Sequence, residues 1–237
     1  MNMPTASMQK GKIIAHHYLT NDTITVRIGL SAGSKFNFKA GQFIVLDVGP
    51  NQSRSYSICS APSAQDYLEI CVKLLAQGPG SSYLRGLKLG DEVSFRGPFG
   101  TFVLGENQTP NLLFVATGTG FAPIHAMLKT LAEQQSEQNI LLLFGLRNEK
   151  SIFFPERLDL LKKQLHNFNY VLALSQPSRA DHPYYTGRVT DYLAENYHLT
   201  AAWDVYLCGG QDMILDVRQL LNKHDFPQKN IFTESFY

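Results

Sequence analysis

The pattern of this chain changes once, and the change limits what it can fold into. Up to about residue 105, short segments rich in β-branched and aromatic residues recur between Gly, Pro, Asn and Asp clusters. They are TITVRIGL (23–30), GQFIVLDV (41–48), RSYSICS (54–60), YLEICVKLL (67–75) and DEVSFRG (91–97). Such punctuated runs predict antiparallel strands in a barrel or sandwich. A helix is expected to begin near Ser81, where SSYLRGL follows a glycine-rich turn. After ENQTP (106–110), NLLFVA (111–116) is an unbroken apolar run, as a strand buried on both faces requires. FAPIHAMLKTLAEQQ then carries Ile124, Leu128 and Leu131 at helical spacing. ILLLF, YVLAL and DVYLC alternate with helical stretches at 155–165, 188–197 and 213–224, and a last short strand falls near IFTE. Alternating strand and helix predicts a doubly wound parallel sheet. The chain therefore divides into a β domain (1–106), a linker (107–110) and an α/β domain (111–237).

Composition removes several function classes. The 237 residues are 44% hydrophobic, enough for a substantial core, and the net charge of +1 argues against nucleic acid as the partner. No apolar run approaches a membrane span, and MNMPTASMQKGK lacks the apolar stretch of a signal peptide. The expectation is a soluble, cytoplasmic protein. Cys59, Cys71 and Cys208 form no CxxC pair and are too few for a four-cysteine iron–sulfur cluster. The adjacent His16 and His17 would face opposite sides of a strand, and no metal-ligand motif is present.

Four stretches carry chemistry. Arg54 and Tyr56 alternate, so on a strand they share one face, suited to a ligand flat at one end and anionic at the other. In ATGTGFAPI, Gly118 and Gly120 lie between the first parallel strand and its helix, where amides and the helix N-terminus favour a pyrophosphate; Pro123 is tolerated in the first turn. In QGPGSSYLRGL, Gly78 and Gly80 allow a second anion-binding turn, with Ser81 and Ser82 adding hydroxyls or capping the helix. In YLCGGQDM, Cys208 ends a strand and reads by type as a buried thiol, while Gly209 and Gly210 imply close backbone approach by a ligand. The end, TESFY, is either a frayed tail or an aromatic lid.

Taken in order, RxYS (Arg54, Tyr56, Ser57), GPGSS, Gly90–Asp91, GPFG (97–100), ATGTGFAP, CGG and the closing Glu234-x-Phe236 resemble the ferredoxin–NADP reductase family, from about residue 10 onward. The resemblance implies an N-terminal antiparallel Greek-key barrel for a flavin, FAD rather than FMN, and a following α/β domain for NADH or NADPH. It implies that Tyr56 packs on the isoalloxazine, that Arg54 pairs with the flavin phosphates, and that Ser57 hydrogen-bonds near flavin N5, with Ser55 on the same strand. Cys71, Val72 and Lys73 within the strand at 70–74, and the turn Gly78, Gly80, Ser81 and Ser82, would hold the ribityl chain and pyrophosphate. Thr117, Gly118, Thr119, Gly120 and Pro123 would cradle the nicotinamide nucleotide. Cys208 and Glu234 would flank the nicotinamide beside Gly209 and Gly210, and Phe236 or Tyr237 would cover the flavin. Ser57, Cys208 and Glu234 are thus the catalytic candidates.

The activity implied is hydride transfer from NAD(P)H to bound FAD, then release of electrons to a separate redox protein such as a ferredoxin, or to a small oxidant, by a monomer. The alternatives are a free-flavin or ferric-chelate reductase and a non-catalytic electron-transfer or regulatory subunit. Arg147, Ser175 and Arg179 are candidates to meet a 2′-phosphate, but no compact Ser/Thr-Arg set accompanies them, which favours NADH. Lys10, Lys12, Lys35, Lys39 and Arg85 are candidates for a basic patch facing an acidic ferredoxin.

Overall fold

The computed structural model describes residues 7–31, 36–105 and 109–236; Lys35, Tyr237 and linker positions 107 and 108 lie outside them. The chain divides into two compact units, one of Met1–Val103 with His125–Thr130, the other of Leu104–Ile124 with Leu131–Tyr237.

In the first unit the elements run β1 (Gln9–Tyr18), β2 (Thr23–Leu30), β3 (Phe43–Gly49), β4 (Gln52–Ser57), β5 (Tyr67–Lys73), α1 (Pro79–Gly86) and β6 (Glu92–Phe99). The strands form one antiparallel sheet in the order β4-β3-β6-β1-β2-β5. Its two ends meet: Ile58 pairs antiparallel with Ile70, and the Cys59 N–H donates to the Glu69 carbonyl at 2.6 Å. The sheet is thereby closed into a barrel, which removes exposed edges. Alternate residues fill it: Ile24, Val26 and Ile28 from β2, Ile44, Leu46 and Val48 from β3, Leu68, Ile70 and Val72 from β5, Val93 and Phe95 from β6. Burying each such side chain stabilises by about 1.5–3 kcal/mol.

The sequence pattern predicts no strand at residues 9–18, yet β1 is central, paired with both β2 and β6. Its alternation is masked for two reasons. Gly11 occupies a buried position, and the register shifts between Ile13 and Ala15, so apolar residues fall out of phase.

The second unit contains β7 (Asn111–Thr117), both ends of α2 (Phe121–Glu133, whose His125–Thr130 group with the first unit), β8 (Asn139–Leu146), α3 (Pro155–Gln164), β9 (Phe168–Leu174), β10 (Tyr185–Thr186), α4 (Val189–Glu195), β11 (Trp203–Gly210), α5 (Gln211–Lys223) and β12 (Ile231–Phe236). All pairings are parallel, in the order β10-β9-β8-β7-β11-β12. Leu112 to Ala116 are fully buried, as the unbroken apolar run requires. One face of the sheet meets α4 and α5 through Leu113, Val115, Leu143, Val205 and Leu207. On the other, Phe121 of α2 stacks on Phe144 at 4.7 Å, with Phe153 edge-on to Phe144 at 5.4 Å. Helices cover both faces, and strand order reverses between β7 and β11, which makes the fold doubly wound. The tail is no frayed end: β12 pairs with β11 up to Phe236. Among the described residues no helix is long and apolar enough to cross a membrane.

One polar pair is set into the barrel wall. Arg27 Nε donates to Glu69 Oε2 at 2.7 Å, and Glu69 is only 3% exposed. Removing the cation leaves a carboxylate in a buried place. Arg27→Met is expected to destabilise the fold by about 3 kcal/mol. The double variant Arg27→Met/Glu69→Met should cost less than the sum of the single ones. Urea unfolding of the full cycle measures this, and strict additivity would show that the pair is not coupled.

Candidate functional site

Each unit carries one cluster of the expected residues. In the first, the strand alternation of β4 places Arg54 and Tyr56 on the face that α1 approaches, and Ser55 on the other. A Cβ added to Gly80 would lie 2.5 Å from Tyr56 Oη and 3.1 Å from Arg54 Cγ. Only a glycine lets the helix start come this close to the pair.

The helix begins earlier than its serines suggest. Its N-cap is Gly78, at φ 128, and Pro79 takes the first turn, so neither Ser81 nor Ser82 is the cap. Pro79 brings no N–H. The first helical bond runs from Ser82 N–H to the Gly78 carbonyl at 3.0 Å, so the Gly80 and Ser81 amides precede it. Ser81 Oγ is buried and accepts the Leu75 N–H at 2.9 Å, fixing the path from β5 into α1. At the other end of α1, the His16 ring nitrogen bonds the Leu84 carbonyl at 3.0 Å. The result is a pair of helix-start amides beside a guanidinium and a phenol. Burial pushes the Tyr56 phenol up to about 12, against the pull of Arg54, so it stays neutral.

The other expected residues of this unit are placed unevenly. Ser57 is buried at the end of β4. Val72 points into the barrel core, so it can offer a ligand only its backbone. Lys73 sits 3.5 Å from Asp22. Cys71–Lys73 lie beyond the Ile58–Ile70 bridge that closes the barrel. Of the expected basic patch, Lys10 is bound to Glu92 at 2.7 Å and Arg85 donates to the Leu75 carbonyl at 2.6 Å.

The second cluster lies where β7 and β11 end side by side. Gly118–Gly120 form a single 3-10 turn before α2, with Pro123 buried in the helix's first turn. A Cβ on Gly120 would meet the Cys208 carbonyl oxygen at 2.2 Å. One on Gly209, at φ +147, would meet Thr117 Oγ1 at 2.2 Å. Thr117 Oγ1 accepts the Gly210 N–H at 3.1 Å, so this hydroxyl ties the two turns together. Gly118, at φ +52, faces open space, and Thr119 beside it is half-buried. The register sets Cys208 opposite Glu234 and Gly210 opposite Phe236. Cys208 is 0% exposed; burial first, and the Glu234 carboxylate second, push its thiol well above the usual 9.0. It is a neutral thiol, not a thiolate.

Arg147, Ser175 and Arg179 are exposed on the loops that follow β8 and β9. Arg147 Nε donates to Gln176 Oε1 at 2.9 Å. A residue absent from the expected set holds these loops together. Glu149 accepts the Ser178 N–H at 2.9 Å and 3.1 Å on its two oxygens. That bond first, with the Glu149 and Arg179 amides and the Ser178 hydroxyl, lowers its carboxyl to about 2. The hold is complete above the ordinary carboxylate value of 4.5 and is lost as pH falls through about 2. In sequence the only signal was an acid just past the second parallel strand. A second unforeseen contact lies in the first unit, where His125 Nδ1 and the Cys59 carbonyl are 2.7 Å apart.

Comparison with known proteins matches both clusters to domain families. Residues 10–104 match the oxidoreductase FAD-binding domain and residues 114–219 the oxidoreductase NAD-binding domain. The chain is similar to terephthalate 1,2-dioxygenase reductase component 1 of Comamonas sp, at 28% identity over 95% of this chain and 67% of that protein. It is similar to the toluate 1,2-dioxygenase electron transfer component of Pseudomonas putida, at 33% identity over 92% of this chain and 64% of that one. The chain spans 59–67% of the length of curated relatives such as these. In fold it is similar to a ferredoxin NADP+ reductase from Neisseria gonorrhoeae, with TM-score 0.86 and 24% identity over 98% of this chain and 100% of that one.

The turn geometry makes two predictions. Gly120→Ala and Gly209→Ala should each cost at least about 2 kcal/mol, since both press a Cβ into the neighbouring turn. Gly118→Ala should cost about 1 kcal/mol, from its left-handed backbone alone. Chemical denaturation ranks the three, and equal losses would contradict the packing described. The cysteines should resist an aromatic disulfide reagent at pH 8 in the folded protein, and all three should react once it is unfolded.

Proposed function

The chain belongs to the ferredoxin–NADP reductase family of FAD- and NAD-binding oxidoreductases, and from that premise we propose that it is an NAD(P)H-dependent flavin oxidoreductase that passes electrons to a separate acceptor. The observation that carries this reading is the start of α1 set against Arg54 and Tyr56. It fits FAD: two amides and a guanidinium meet the demands of a pyrophosphate, and a neutral, half-buried phenol those of a flat ring. When bound, FAD supplies the capacity to accept a hydride and to release electrons singly.

The chain's own residues then have distinct tasks. Arg54 and the Gly80 and Ser81 amides bind the anionic part, and Ser82 lies exposed in the next position. Tyr56 orients the ring, and Ser57 and the backbone of Cys71–Lys73 complete its surroundings. Thr117 to Gly120, with Pro123, receive the nicotinamide nucleotide beside Gly209 and Gly210. Cys208 stays protonated, so it positions without taking a proton. Glu234 and Phe236, on the last strand, are the remaining candidates beside the nicotinamide. Orientation supplies much of the rate in such a transfer.

The acceptor is proposed as a separate redox protein, a ferredoxin or an oxygenase component. The support is that relatives are named reductase or electron transfer components of dioxygenases.

The purified protein is expected to be yellow and to bleach anaerobically on addition of a reduced nicotinamide nucleotide. A colourless protein that reduces added flavin would instead make flavin a substrate. Arg54→Ala should weaken FAD binding about 10- to 100-fold, from loss of a charge-assisted hydrogen bond. Gly80→Val should weaken it at least as much while the barrel remains folded. Fluorescence titration of the apoprotein measures both, and unchanged affinity would remove this face as the flavin site.

A further inference from the structure

We propose that Glu149 sets donor preference by filling, with its own carboxylate, the amide pocket that the 2′-phosphate of NADPH would need, so that NADH is the donor. This deepens the reading of the second unit as the nucleotide-binding half and rests on it.

β8 and β9 are neighbours in register, with Leu146 opposite Leu174, so the loops after them leave side by side at the carboxyl edge. In an open parallel sheet that edge is where a nucleotide lies. The loop after β9 presents the successive amides of Ser178 and Arg179 toward one point. Successive amides of this kind form a concavity that attracts an anion. Here an anion already sits in it, supplied by Glu149 from the loop after β8.

The Ser178 N–H bonds both oxygens of the carboxylate, and the Arg179 and Glu149 amides and the Ser178 hydroxyl favour its charged form. Held in this way on the loop after β9, Glu149 acts through occupancy and charge. Arg147 gives its Nε–H to Gln176, and it, Lys150 and Arg179 are the exposed cations nearest in sequence for an incoming phosphate. Such a phosphate would meet an ionised carboxylate in the place where donors should be. NADH, which carries no such group, meets no obstacle.

The test compares wild type, Glu149→Ala, Glu149→Gln and Glu149→Asp in the full chain. Two readouts are taken: kcat/KM for NADPH relative to NADH, and calorimetric affinity for 2′-phospho-AMP relative to AMP. Wild type should prefer NADH and AMP. Glu149→Ala, which empties the pocket, should raise both ratios at least about tenfold, a change of about 1.4 kcal/mol. Glu149→Gln should raise them less, and Glu149→Asp should keep the wild-type order. If Glu149 only stiffens the loops, the variants will weaken both nucleotides alike and leave the ratios in place, which overturns the proposal. A wild type that prefers NADPH overturns it too. If wild type binds neither AMP nor NADH, the nucleotide-binding reading itself fails and the proposal falls with it. AMP binding without discrimination against 2′-phospho-AMP overturns the proposal alone.

Discussion

Where β7 and β11 end side by side, the turn after one strand rests on the turn after the other with no side chain between them. The Gly120 Cα faces the Cys208 carbonyl and the Gly209 Cα faces Thr117, each too near for a methyl group. The sheet's register holds the contact in place, with Cys208 opposite Ala116. Thr117 adds the one side-chain bond across it. The amides of this crevice are therefore positioned by the parallel ladder and not by loop conformation. Interiors packed at this density transmit any added atom as strain.

The first unit solves the same problem with different parts. A glycine again brings a helix start against a strand, but the strand offers Arg54 and Tyr56 instead of bare backbone. Ser81 spends its hydroxyl on the Leu75 amide, which holds the turn in place. Barrel closure through Ile58 and Cys59 fixes the end of β4 just past Ser57. The charged and flat groups are thus set by strand alternation, and the amides by the helix that lies over them.

Much of this was legible in the sequence. β3 and the first half of β6 show period-two burial because one face lies in the barrel, β2 and β5 are buried at most positions, and β7 reads as a solid apolar run because it has two buried faces. The pairing of Arg54 with Tyr56 followed from the same period. What escaped did so for physical reasons. β1 has a glycine and a register shift where two apolar residues would announce it. Ser81 looks like a cap, yet Pro79 starts the helix two residues sooner and the hydroxyl turns to the loop. Glu149 sits in a charged stretch that resembles solvated surface, and its partner at Ser178 is met through backbone N–H, which no residue letter displays. His125 meets the Cys59 carbonyl, again main chain, 66 positions away.

The Glu149 carboxylate can also be viewed as a ligand that the protein carries within its own chain. Glu149 holds the loop through the Ser178 N–H within the folded chain, so the entropy of arranging it is settled on folding and not at each turnover. Because the carboxylate is tethered, its local concentration far exceeds that of a free anion. Ambient phosphate, abundant in any cell, then competes poorly for the same amides. A nest with its own tenant keeps its shape without admitting passing ions.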